Sequence, residues 1–264
     1  MNIHYGKAAV TFYRTDSRSA VFAAEVRLDA FGDNLMRSYT EGDNSLIVAT
    51  DTMKNFIHAT ALEYEGSSLE EFLAFLGRKF LTTYGHIERI RLHARDLPFA
   101  CEHGVVFCRQ NDDYAVAELT VGRTGILDHR SGREALRLVK LTGSAFTGFV
   151  RDEHTTLPEM SDRPLLIHLN VYWRHRTFDE RTSGAAVRDV VVATFDEFVS
   201  QSIQHLVHEM GQRLLARFPA IIEVSFEAEN HLWDTARVSD ADPKVKVYTD
   251  PRPPYGVIGL TLRR

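Results

Sequence analysis

The sequence predicts an α+β fold of two tandem ββααββ units, with antiparallel sheets and helices on the outer face. Three observations lead there. The order strand, strand, helix, helix, strand, strand occurs twice along the chain, although no residue-level repeat is visible. The 264 residues are enough for one large domain or two medium ones at roughly 150 residues each. Hydrophobic residues at 44% and charged residues at 25% are ordinary globular usage, and 16 Gly with 8 Pro are too few for a disordered chain.

Residues 7–15 and 20–30 carry Val, Phe, Tyr and Ala in near alternation, with turn chemistry between them at Thr15-Asp16-Ser17-Arg18-Ser19, so they read as a hairpin. After Asp43-Asn44-Ser45 and a strand-like run Leu46 to Ala49, the 3–4 spacing of Met53, Phe56, Ile57 and Thr60 predicts a helix from Asp51 to Tyr64, broken at Gly66. Ser67 and Ser68, each three residues before a glutamate, form alternative capping boxes for a second helix with Leu69, Phe72, Leu73, Leu76 and Phe80 on one face. Ile87 to Ala94, Val105 to Arg109 and Tyr114 to Val121 read as strands, the last two joined by a turn at Gln110-Asn111-Asp112-Asp113.

The second half begins with strands at about 134–142 and 164–175. Helices follow at Ala185 to Ser200 and along Ile203, Leu206, Val207, Met210, Leu214, Leu215 and Phe218. Strands at Ile221 to Glu229 and Val257 to Leu262 close the half, with the Pro-rich Asp250-Pro251-Arg252-Pro253-Pro254 as loop between them. The two units are expected at 1–128 and 129–264. Four antiparallel strands with both helices on one face leave sheet edges open, which favours closure by oligomerisation.

A formal charge of −5 gives no sign of a broadly basic nucleic-acid surface. No apolar stretch resembles a signal peptide or a spanning helix, and Leu262-Arg263-Arg264 is not a peroxisomal address, so a bacterial cytoplasm is expected. Cys101 and Cys108 read as two reduced thiols. Phosphate-cradling glycine motifs and the serine-hydrolase elbow are missing from the sequence. His205, His208 and Glu209 could share a helix face, but H-x-x-H-E matches no zinc signature, and Cys101, Glu102, His103 and Cys108 lack a second cluster; no metal site is expected. By spacing alone, Thr50 and Asp51 are N-caps, Lys7 is a solvated strand lysine, and Arg163 forms a surface ion pair with Asp162.

Taken together, Tyr5-Gly6-Lys7, Ser38-Tyr39-Thr40, Asp43-Asn44-Ser45, Val48-Ala49-Thr50-Asp51-Thr52-Met53-Lys54-Asn55, Phe146-Thr147-Gly148-Phe149-Val150-Arg151-Asp152-Glu153, Thr155-Thr156-Leu157 and Asp162-Arg163 resemble, in order, the motifs of the urate oxidase (uricase) family. The tail Val247-Tyr248-Thr249-Asp250-Pro251-Arg252-Pro253-Pro254-Tyr255-Gly256 and the N-H-x-W segment at Asn230 resemble its bacterial branch. The likeness runs from residue 5 to about 260. It implies the tunnelling fold, with two ββααββ modules per subunit and a homotetramer around a central tunnel. It also implies oxidation of urate by O2 and water to 5-hydroxyisourate and H2O2 with neither metal nor organic cofactor, O2 being a co-substrate.

By position, Lys7 and Thr50 resemble the family's proton-relay pair. A lysine serves as a base near neutral pH when burial lowers its pKa, and a threonine hydroxyl both donates and accepts. Arg163 resembles the guanidinium clamp, Gln204 the amide on the opposite edge, and Phe146 the stacking ring; the backbone N–H groups of Asp51 and Ile203 complete the hydrogen bonds. Asn230 resembles the asparagine beside the O2 or water site. Many relatives follow it with N-K-H, whereas this chain has Asn230-His231-Leu232. A strict register puts Leu232 at the relay histidine's place, and His231 takes that role only through a one-residue shift or a different rotamer. The family draws its Lys-Thr side and its Phe-Arg-Gln side from neighbouring subunits. Two other classes remain open at this point: a zinc-dependent tunnelling-fold enzyme acting on pterins or GTP, and a purine-binding protein without catalysis.

Overall fold

The computed structural model describes residues 3–15, 21–103, 105–110 and 113–264. The near alternation at the start becomes an antiparallel pair, β1 (His4–Thr15) and β2 (Val21–Phe31). Of the turn expected at 15–19, all but Thr15 lies outside the described residues. The pairing register shifts between Lys7 and Val10, where Ala9 takes a left-handed φ of 55°, so the alternation is interrupted beside Lys7.

A 3-10 turn at Asp33–Leu35 and a short helix α1 (Met36–Thr40) follow, neither anticipated from the pattern. The run Leu46 to Ala49 is not a strand but a turn and an extended lead-in, in which the Val48 N–H donates to the Tyr5 hydroxyl oxygen at 2.8 Å. Then come α2 (Thr50–Glu63) and α3 (Leu69–Thr83). Ser68 caps α3 by accepting from the Glu71 N–H at 3.3 Å, and the predicted face of Leu69, Phe72, Leu73, Leu76 and Phe80 is buried. Each such side chain contributes about 1.5–3 kcal/mol by leaving water.

Strand β3 (Arg89–Asp96) alternates Ile90, Leu92 and Ala94 toward the helices with Arg91, His93 and Arg95 on the other face. The next strands do not pair in the order their spacing suggests. Residues Phe99–His103 (β4) and Val106–Arg109 (β5) pair with each other as a separate hairpin, closed by a bond from the Gln110 N–H to the Pro98 carbonyl. Strand β6 (Tyr114–Gly122) pairs with β3 rather than with β5; of the turn expected at 110–113, residues 111 and 112 lie outside the described residues. The first compact unit, Met1–Gly132, thus carries the sheet order β1-β2-β3-β6, with α2 packed on β1 and α3 on β3 and β6.

Strand β7 (Gly125–Lys140) begins about nine residues earlier than its pattern suggests and runs into the second compact unit, Arg133–Arg264. There β8 (Leu165–His175), α4 (Gly184–Glu197), α5 (Ile203–Arg217), β9 (Ile221–His231) and β12 (Gly256–Arg263) form the order β7-β8-β9-β12 under α4 and α5. An unanticipated hairpin, β10 (Thr235–Val238) with β11 (Lys246–Tyr248), precedes β12, and the Pro-rich segment between them is loop. Alternation along β8 sends Leu165, Ile167, Leu169, Val171 and Trp173 into the core and leaves His168 and Asn170 on the opposite face. Helix α4 stops at Glu197 rather than Ser200, with Phe198 as its C-cap.

Candidate active site

The first unit holds Lys7, Thr50 and Asp51. Gly6 fixes the approach of the lysine: a Cβ there would lie 2.0 Å from the Leu28 carbonyl oxygen and 2.7 Å from the Asp29 carboxylate, so only glycine lets β1 lie this close to β2. Lys7 follows, half-buried and opposite Leu28. Neither Thr50 nor Asp51 is an N-cap, which corrects the reading from spacing. Ala49 occupies that position without a side-chain bond, and Thr50 and Asp51 are the first two helical residues of α2. With no capping oxygen present, backbone N–H groups of the first turn remain available to a bound acceptor.

The A-T-D-x-x-K-N block explains itself in this geometry. The Asp51 carboxylate accepts from Lys54 Nζ at 2.6 Å and from the Asn55 amide at 3.3 Å. Those bonds, led by Lys54 and joined by a smaller pull from the charge of Lys7, hold Asp51 below the usual carboxylate range. The side chain is thus tied along the helix and its backbone N–H stays at the helix entrance. Thr50 is exposed.

In the second unit a cavity of about 250 Å³ is lined by Phe146, Arg163, Ile203, Gln204 and Asn230, five of the residues singled out from the sequence. Leu157, Leu232, Gly256, Val257 and Ile258 complete the wall; Leu232 is the residue that strict register puts at the relay histidine's place, whereas the other four, scattered over loops and an edge strand, carry no periodic signal. Arg163 forms no ion pair with its neighbour. Asp162 instead accepts from the Thr142 hydroxyl at 2.5 Å and the Gly143 N–H at 2.7 Å, bonds that pull its pKa down. The Arg163 N–H donates to the Ser144 carbonyl at 2.8 Å, which anchors the backbone while the guanidinium reaches 5.5 Å from the Phe146 ring centroid.

The Arg163 Nε is buried without a hydrogen-bond partner, and burial pulls the group below the usual arginine pKa; a guanidinium nevertheless stays charged. An unpaired buried donor on a cation is costly unless an anion arrives. Phe146 stacks on Phe149 with centroids 4.9 Å apart. Ile203 and Gln204 open α5, whose N-cap Ser202 accepts from the His205 N–H at 3.1 Å. The Ile203 N–H, one residue past that cap, is among those left without an intrahelical acceptor.

His231 does not line this cavity. It borders an adjoining one of about 210 Å³ that shares Arg163, Leu157, Asn230 and Leu232 with the first and adds Trp233, Lys246 and Tyr248. Leu232 faces both. The His231 ring stacks on Tyr255 at 4.8 Å and lies 3.9 Å from the ring of His168, with Nε2 2.8 Å from Glu229 Oε2. His168 is pushed below the ordinary histidine pKa, first by burial and then by the charges of His231 and Arg137, with Glu229 opposing. His168 and Glu229 had no sequence signal: they are 61 positions apart and meet only because β8 and β9 pair with these two residues opposite each other.

Among the described residues, neither His205, His208 and Glu209 nor Cys101, His103 and Cys108 gather their ligand atoms around one point. Glu209 is engaged by Arg213 at 2.8 Å, and the Gln201 N–H donates to His205 Nδ1. Cys101 pairs with Phe107 and Cys108 with Ala100 in adjacent positions of one hairpin, which points the two thiols to opposite faces, exposed and without a disulfide between them.

Fold and cavity define a class: an α+β protein of two ββααββ units in which a half-buried guanidinium and an aromatic ring share a small pocket with a helix N-terminus. The chain belongs to the uricase family, whose model matches residues 3–101 and 129–259. It is 37% identical to the uric acid degradation bifunctional protein of Bacillus sp. (strain TB-90) over 98% of this chain and 60% of that protein, so it spans about three-fifths of that relative's length. It is 36% identical to the uricase of Halalkalicoccus jeotgali, over 99% of this chain and 98% of that one. The crystal structure of Bacillus sp. TB-90 urate oxidase superposes with a TM-score of 0.93 at 36% identity, covering 99% of this chain and all of that one. The fold is accordingly the tunnelling fold. These matches do not favour a pterin- or GTP-directed enzyme. Among the described residues no helix is long and apolar enough to cross a membrane.

Proposed function

We propose that the chain oxidises urate with O2 and water to 5-hydroxyisourate and H2O2, needing neither metal nor organic cofactor. The observation that carries this reading is the cavity in which Phe146, Arg163, Ile203, Gln204 and Asn230 converge in a member of the uricase family. Urate is a flat anion with acceptors and N–H groups around its rim. Arg163 offers two parallel donors to its acceptors, the Gln204 amide both gives and accepts, and Phe146 covers the ring.

The Asp51 and Ile203 N–H groups supply further donors at two helix entrances, and Asn230 stands beside the O2 or water site. Lys7 takes a proton from urate and Thr50 passes it toward a bound water, because urate must lose that proton before it can give electrons to O2. His231, with Nε2 held at Glu229, extends the relay from the adjoining cavity. The Lys7-Thr50 group and the Arg163-Gln204 group come from neighbouring subunits of a homotetramer. The partners are thus urate, O2 and further copies of the chain, in a bacterial cytoplasm.

The test adds chelator-treated protein to urate in air and follows loss of the urate absorbance band, with H2O2 measured alongside. Equal amounts of urate lost and H2O2 formed are expected. A persistent urate band, with bound urate recovered unchanged, would overturn the reading in favour of a binding protein.

A further inference from the structure

On the sheet face turned away from α4 and α5, the pairing register of β8 with β9 sets His168 directly opposite Glu229, and His231 follows two residues along β9 on the same face. One carboxylate oxygen is the hub: Glu229 Oε2 lies 2.8 Å from His231 Nε2 and 3.8 Å from His168 Nδ1, and the three potential ligand atoms all fall within 4.8 Å of one another. A tetrahedral ion with bonds of about 2.0–2.1 Å sets its ligand atoms roughly 3.3–3.5 Å apart, a spacing that the two shorter separations bracket. Closing the set needs the His168 and His231 rings to draw toward a common centre, with the His231 proton carried on Nδ1.

We propose that His168, Glu229 and His231 form a binding site for a divalent first-row transition ion of the Zn2+ or Cu2+ type. Two imidazoles and one carboxylate are a ligand set these ions accept, with a fourth position left for water. The surroundings select among cations. Arg137 acts electrostatically on His168, and Arg163 lines the cavity that His231 borders. Those positive charges oppose ions held by charge alone, such as Mg2+ or Ca2+, which also prefer all-oxygen sites. Ions that bond imidazole nitrogen strongly are retained. The ring of His231 is also braced, since Tyr255 stacks on it and its side chain is only 10% exposed, so little conformational freedom is lost on binding. The site goes beyond the urate reading but shares His231 with the proposed relay, so an ion on Nε2 and a working relay exclude each other; metal binding is measured without urate, so it stands or falls separately from that reading.

The experiment titrates the chelator-treated full chain with Zn2+ by calorimetry and, separately, records the electron paramagnetic resonance spectrum of the Cu2+-loaded protein. Expected are one Zn2+ per chain, no Mg2+ uptake, and nitrogen hyperfine structure from two imidazoles. H168Q and E229Q should each weaken Zn2+ at least tenfold, while H208Q, on the helix pair that could mimic a site, leaves it unchanged. The spectrum is taken on the unaltered protein, so it decides the matter even where a variant folds poorly. No stoichiometric uptake, a copper spectrum without nitrogen coupling, or affinity lost in H208Q but kept in H168Q would overturn the proposal.

Discussion

Arg163 is a charge held in readiness. Its backbone is pinned to Ser144, its neighbour Asp162 is fully occupied by Thr142 and the Gly143 N–H, and its buried Nε lacks a partner. Removing it should therefore cost binding rather than folding. For Arg163→Ala we expect a urate analogue to lose about 1.5–3 kcal/mol for each charged hydrogen bond removed, at least a tenfold rise in Kd by calorimetry, with an unchanged unfolding midpoint. Undiminished affinity would show that the guanidinium is not the clamp. Lys7 should divide the other way: Lys7→Ala is expected to reduce turnover by about 100- to 10,000-fold while analogue affinity changes little, the pattern of a lost proton acceptor. Unaltered turnover would remove Lys7 from the relay. Both residues could be picked out in the sequence through their motifs, but their surroundings could not. Asp162 beside Arg163 reads as its ion-pair partner until the Thr142–Ser144 segment is seen to capture the carboxylate.

At the scale of elements, two contacts govern the first unit. The close approach of β1 to β2 at Gly6 leaves no space for a methyl group, and the obstacle includes backbone. Gly6→Ala should cost about 1–3 kcal/mol of stability and lower activity as well, because it displaces the strand that carries Lys7; chemical denaturation and turnover measured together test this. The junction of α2 and α3 is closed by Tyr64, whose hydroxyl donates to the Ser68 carbonyl at 3.1 Å. Burial, and then the nearby charge of Glu71, push its pKa up to about 12. The phenol's unfolded pKa is near 10, so its contribution is fully present below about pH 10 and is lost as pH rises toward 12. Between pH 9 and 11.5 the unfolding midpoint of the native chain should fall more steeply than that of Tyr64→Phe; parallel slopes would contradict it. The helices were legible because a 3.6-residue stripe is local. The β4–β5 hairpin was not, because Val106–Arg109 is equally apt to pair with the strand before it or after it, and the Gln110–Pro98 bond that settles the choice spans twelve positions.

For the whole molecule, each compact unit carries one part of the proposed chemistry: Lys7, Thr50 and Asp51 in the first, Phe146, Arg163 and Gln204 in the second. If neighbouring subunits complete each other's sites, Lys7→Ala and Arg163→Ala proteins, each nearly inactive, should regain activity when unfolded together and refolded as a mixture, to about a quarter of the native value for random pairing across a symmetric interface. No gain on mixing would place both groups within one chain's own site. The sequence by itself determined the α+β class, the twofold element order and the family motifs, since hydrophobic period, helix capping and short motifs are written in neighbouring residues. Only the tertiary structure decided that Phe146, Arg163, Ile203, Gln204 and Asn230 wall one cavity while His231 turns to the next, and that His168 meets Glu229. Those outcomes depend on strand register and on loop hydrogen bonds between residues far apart in the chain, where a one-residue slip would send every side chain to the opposite face.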